Sequence, residues 1–252
     1  MRRPSRNTFG LSFLAASALF AEGPTAEAIL DRYVEVTGGK AAYERVKGET
    51  MTGVMEMKAQ GVKGKTVSYR GPNLTSYMAM EIEGAGKIEQ GVVDGVAWEK
   101  SAMAGPRIKS GEERAFQIRE ALIARDAHWR EAYEKAELQG EEACGTATCY
   151  KLLLSPKGGG RPEMHFFDKA TGLRAKTTTV LSTQMGDLPV EMLFSEYKEF
   201  SGLKVPTKTV NRMAGQEFQM IVNSVDIGPV PAEKFALPAD VKALAAKSGA
   251  KK

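Results

Sequence analysis

The stretch Glu163-Met-His165-Phe-Phe167-Asp168-Lys-Ala-Thr171-Gly172-Leu173-Arg174 carries the reading of the fold. A run of strand-forming residues enters a short turn that closes on glycine, and a second extended run begins at Arg174. Asp168 suits the turn because its carboxylate can bond the backbone a few residues on. His165 belongs to the strand leading in.

The same unit repeats outward in both directions. Downstream, strands are expected over 174–184, 188–200, 203–213 and 217–227, with short turns between. Pro206 assigns the start of its strand to an edge or bulge position, because proline brings no N–H to a ladder. Pro229-Val-Pro231 leaves the sheet, and 232–237 returns a last apolar segment to the core. Upstream, 132–139 and 148–155 read as strands. Gly158-Gly-Gly160 joins two strands instead of opening a helix, so it is a hairpin loop and not a phosphate cradle.

The first half is also extended. Residues 48–58 alternate, placing Met51, Met55 and Met57 on one face, and 66–70 forms a second strand. In 75–82, Met78, Met80 and Ile82 share a face. Segments 88–93 and 96–100 form a hairpin around Asp94-Gly95, a two-residue turn signal. Helices are few. Thr25 caps one in which Ile29, Leu30, Tyr33, Val34 and Thr37 recur at helical spacing, and Gly38-Gly39 stops it. Residues 40–46 add a further turn or two. Residues 110–129 read as one long interior helix with Ser110 and Glu113 as a capping box. Its apolar stripe is Ala115, Ile118, Leu122 and Trp129, with Phe116 and Ile123 beside it.

The N-terminus has the layout of a secretory signal. Arg2, Arg3 and Arg6 precede an apolar run from Phe9 to Phe20, with Ala18 and Ala21 as candidate cleavage points. That run is shorter than the ~20 residues a membrane-spanning helix needs. Removing residues 1–21 takes three Arg from the 35 Lys+Arg and none of the 31 Asp+Glu, leaving 32 against 31. So balanced a charge speaks against a nucleic-acid partner. The domain is expected over 22–240, in the periplasm and without stable membrane insertion. The Lys-rich segment 241–252 is expected to be a flexible tail.

The two cysteines, Cys144 and Cys149, lack the further ligands that zinc requires, and their four-residue spacer is not that of a thioredoxin-type redox motif. In an oxidising compartment they read as a disulfide stapling a hairpin. Catalytic chemistry is thin: the only histidines are His128 and His165, no serine sits in a nucleophile elbow, and no metal-ligand spacing occurs. No enzyme, metal or cofactor is expected. The strand methionines have two readings, an ordinary core or an adaptable surface for an apolar ligand.

Taken in order, several segments resemble the LolA/LolB-like outer-membrane lipoprotein-sorting superfamily. They are 29–39 (Ile-Leu-Asp-Arg-Tyr-Val-Glu-Val-Thr-Gly-Gly), Gly53, 167–173, Tyr197 with 202–206, and the closing Phe235-Ala-Leu-Pro238. The resemblance implies an unclosed, strongly curved antiparallel half-barrel of about eleven strands, with helices covering the concave face. A closed lipocalin-type barrel is the alternative, though its usual pattern lacks a mid-chain helix pair.

The resemblance also implies a carrier of lipid or lipoprotein acyl chains, expected as a monomer. The apolar cavity would be lined by Met51, Met55, Met57, Met78, Met80, Ile82, Ile118 and Leu122. Members resembling RseB instead bind envelope protein partners. Carriers of the superfamily lock their lid with an arginine; no arginine here matches by motif, and Arg70 is the nearest candidate.

Overall fold

The computed structural model describes residues 23–183, 186–247 and 249. The signal segment 1–21 lies outside the described residues. After α1 (Ala26–Val36) and α2 (Gly39–Glu44) come six strands: β1 (Glu49–Met57), β2 (Val62–Gly71), β3 (Thr75–Ile82), β4 (Gly86–Val93), β5 (Val96–Ser101) and β6 (Gly105–Ile108). The lid segment follows, with α3 (Gly111–Glu120) and α4 (Trp129–Ala132). Seven strands complete the sheet: β7 (Tyr133–Cys144), β8 (Ala147–Pro156), β9 (Glu163–Asp168), β10 (Arg174–Thr183), β11 (Gly186–Phe200), β12 (Leu203–Met213) and β13 (Gln216–Ile227). A short 3-10 turn (Ala232–Phe235) and α5 (Ala239–Lys247) close the described chain.

All thirteen strands belong to one antiparallel sheet in the order β6-β5-β4-β3-β2-β1-β13-β12-β11-β10-β9-β8-β7. The sheet is open, so the closed-barrel alternative falls. It has thirteen strands where about eleven were expected. One addition is β6, hidden in the sequence because its Gly105-Pro106 start reads as a turn.

The sheet must curve. Helix α3 touches β4 and β5 and also β10. Strands β5 and β10 stand second and tenth in the order, eight spacings of ~4.8 Å apart, or about 38 Å along a flat sheet. A ten-residue helix is about 15 Å long. Only a sheet bent round toward itself lets so short a helix meet both wings.

Helix α1 forms as its residues dictate. The Thr25 hydroxyl accepts from Ala28 N at 3.2 Å, and Gly38 (φ +142) ends the helix. A side chain at Gly38 would lie 2.5 Å from the Gly202 carbonyl, so the stop also lets the β11–β12 turn approach. Ile29, Leu30 and Tyr33 pack with Leu152, Leu154, Phe167, Trp129 and Tyr133 in the main core. The opening turn behaves as read: Thr171 N donates to Asp168 Oδ1 at 2.7 Å, and Gly172 N to Asp168 O at 2.8 Å. Arg32 of α1 clamps that turn through the Lys169 and Ala170 carbonyls. The β12–β13 pairing begins at Lys208, beyond Pro206, so the missing proline N–H interrupts no ladder there.

Four expectations need correction. The 110–129 helix ends at Glu120, and Ala124 takes a positive φ of 49° before α4 begins. Ser110 makes no side-chain cap, and the Glu113 carboxylate, the other half of the expected box, binds Arg107. The buried face of α3 carries Gln117 and Arg119, not the apolar stripe alone. Lastly, the 241–252 segment is helical as far as Lys247: Val241 is fully buried, and α5 packs on β5 and β6.

Candidate functional site

The strand register places the predicted methionines on the face that α3 covers. Met51 pairs through Ser68 of β2 with Met78 of β3, and Met55 pairs through Gly64 with Ile82. Gly53 and Thr66 join Met80 to the same array. Gly64, Thr66 and Ser68 of β2 between them are small, so the β1 and β3 side chains flank a trough. The row continues on the other side of β1, where Met55 faces Met220, and Met220 leads through Thr209 to Phe194. Phe218, Asn211 and Met192 form the next row. These four apolar residues were missed, although alternation along β11 and β13 carried the signal.

Most of this array is half-buried. Met55, 3% exposed, is packed as core. Met51 and Leu122 line one cavity of about 260 Å³ beneath the lid loop. Ile118 lies elsewhere, packed with Val92, Ala97 and Ala121 where α3 meets β4 and β5. A larger hollow of about 840 Å³ opens between α3 and the β10–β11 wing, with Phe116, Leu181, Leu188 and Met213 in its wall. Its size falls within the ~300–1,000 Å³ of small-molecule sites. Its rim is charged, with Glu112, Arg161 and Asp187 linked in ion pairs. A hollow of about 860 Å³ near Leu153, Met164 and Pro189 lies chiefly on the opposite face.

Polar contacts hold the lid to both wings. On one wing, Gln117 Nε2 donates to the carbonyls of Gly91 and Trp98 at 2.9 and 3.2 Å. Arg70 Nε donates to the Glu120 carbonyl at the end of α3, while its Nη1 pairs with Glu49. On the other wing, Arg119 Nη2 donates to Glu163 Oε1 at 2.6 Å. The second Glu163 oxygen accepts from Tyr133 at 2.7 Å and lies 3.0 Å from His165 Nε2. Arg174, packed over the rings of Tyr33 and Phe194, donates to Asp126 of the lid loop at 3.2 Å.

These charges are buried, and their partners decide their protonation. Burial pushes the Glu163 carboxyl up, but the His165 hydrogen bond and the cations Arg125 and Arg119 more than offset it, holding it ionised. Burial drives the His165 pKa below its ordinary value, so its imidazole is neutral and donates Nε2–H to Glu163. Asp126 stays below the usual carboxylate range because Arg174 and Arg125 outweigh its burial.

His165 therefore serves a structural network, and His128 sits at the surface against Glu131 at 2.8 Å. Among the described residues no group of His, Cys, Asp and Glu is placed to hold a metal. Cys144 and Cys149 form a disulfide across the β7–β8 turn. Among the described residues no helix is long and apolar enough to cross a membrane.

The arrangement defines a class: an open, curved antiparallel sheet whose inner face is lidded by helices. No family model matches the sequence, and no curated protein matches it. Among solved structures, a LolA superfamily protein from Nitrosomonas europaea is similar at a TM-score of 0.56 and 12% identity, over 85% of this chain and 99% of that one. A DUF1329 family protein from Desulfovibrio piger is similar at 0.54 and 18% identity, over 85% and 98%. The fold of this chain is LolA-like.

Proposed function

We propose that this chain is an exported, periplasmic binder of lipid or lipoprotein acyl chains, acting as a monomer and without catalysis. The observation that supports it is the mostly half-buried array on the lidded face, running from Met78 and Met80 across the buried Met55 to Met220, Phe194 and Met192. Methionine is unbranched and polarizable, so it conforms to an irregular or moving partner. Each acyl methylene removed from water contributes about 0.8 kcal/mol, and ten of them give roughly 8 kcal/mol, a micromolar affinity. The carrier role further requires the lid to lift, which means releasing the ion pairs that hold α3.

The test is native mass spectrometry of protein purified from the cell envelope, alongside fluorescence of an apolar dye. Co-purifying lipid, and dye displaced by acyl compounds, support the reading. Exclusion of every such probe, with a stoichiometric protein partner in place of lipid, would replace it with an interaction module of the RseB-like kind.

A further inference from the structure

The small cavity beneath the lid loop has a mixed lining. Met51, Leu122, Val205 and Val222 are its apolar part. Arg174 also lines the cavity, and that residue is only 8% exposed. Among the described residues its single carboxylate partner is Asp126, already shared with the Tyr33 hydroxyl at 3.4 Å. Arg174 Nε is buried with no acceptor among the described residues. A buried donor left unmatched beside a cavity is costly, most of all on a charged group.

The surrounding charge points the same way. Three pairs line this space: Arg70 with Glu49, Arg125 with Glu120, and Arg174 with Asp126. Lys204 lines it too, exposed and with no carboxylate partner among the described residues. The balance is one positive charge. Thr209, which also lines the cavity, pairs with Met220, and Met220 faces Met55, so the methionine array begins beside this cavity.

We infer that this cavity seats the anionic headgroup of a singly charged amphiphile, an oxyanion received by Arg174 and Lys204 while its tail lies along the methionine array. The inference rests on the acyl-binding reading and adds the polarity and direction of the ligand. A guanidinium suits an oxyanion because its donors are fixed in one plane and charge-assisted.

The test uses the full mature chain and three probes: palmitate, hexadecanol and inorganic phosphate, each titrated against a bound apolar dye. Palmitate should bind at least tenfold tighter than hexadecanol at low salt, with the preference shrinking as salt rises. Arg174→Gln should bring palmitate down to the affinity of hexadecanol. If that variant does not fold, Lys204→Gln at the exposed mouth should cut the preference two- to threefold and weaken its salt dependence. Equal binding of palmitate and hexadecanol by the wild type overturns the headgroup site and leaves the acyl reading standing. Binding of neither overturns both. Phosphate binding tighter than palmitate overturns the amphiphile and makes the site one for a free anion.

Discussion

Arg119 on the lid helix and Glu163 on β9 meet at 2.6 Å with both side chains 5% exposed, so the lid is fastened to the sheet by a desolvated ion pair. Removing one partner strands the other charge. Glu163→Leu is expected to destabilise the protein by about 3–5 kcal/mol, read as a lowered urea midpoint. The double variant Arg119→Met with Glu163→Leu should recover much of that loss. A double variant as unstable as the single one would show that the charges do more than hold each other.

The same network gives stability a pH dependence. His165 has a folded pKa below its ordinary 6.5, so below that pH the unfolded chain takes up the proton more readily. Its contribution is full above 6.5 and is lost as the pH falls through 6.5 toward the folded value. Stability should therefore decline from pH 7 to 5. His165→Gln, which keeps a donor for Glu163, should flatten that slope in urea titrations. An unchanged slope would place the titration elsewhere.

The Cys144–Cys149 bridge closes a very short loop at the tip of β7–β8. Cys144→Ser with Cys149→Ser is expected to cost about 2 kcal/mol in thermal or chemical unfolding, and to leave dye affinity unchanged. A matching loss of dye binding would tie this hairpin to the ligand.

The exposed part of the methionine array should govern affinity more than stability. Met78→Ala with Met80→Ala removes apolar contact from half-buried positions and should weaken acyl binding roughly tenfold, about 1.4 kcal/mol. The urea midpoint should move little. Unaltered affinity would reduce these residues to ordinary packing.

The strands and the shared methionine face were legible because alternation and turn chemistry are local. Asp168 and Gly172, or Asp94 and Gly95, announce a turn whatever surrounds them. The lid was legible only in part. An arginine on a helix reads as a solvated face, and nothing local shows that Arg119 turns inward to Glu163, 44 residues on. Glu163 and His165 stand two apart on one strand and so share a face, which was the one available hint. Arg174 was beyond reach, since its partner Asp126 becomes its neighbour only when the sheet bends.

The connection between β6 and β7 has a mechanical consequence. These strands are the two free margins of the sheet, and residues 109–132 run from one to the other. The lid is thus a tether strung between the rims of an open trough, clipped to each side by its polar contacts. Spreading the rims tightens the tether, and slackening it lets them close, so rim spacing and lid position form a single coordinate.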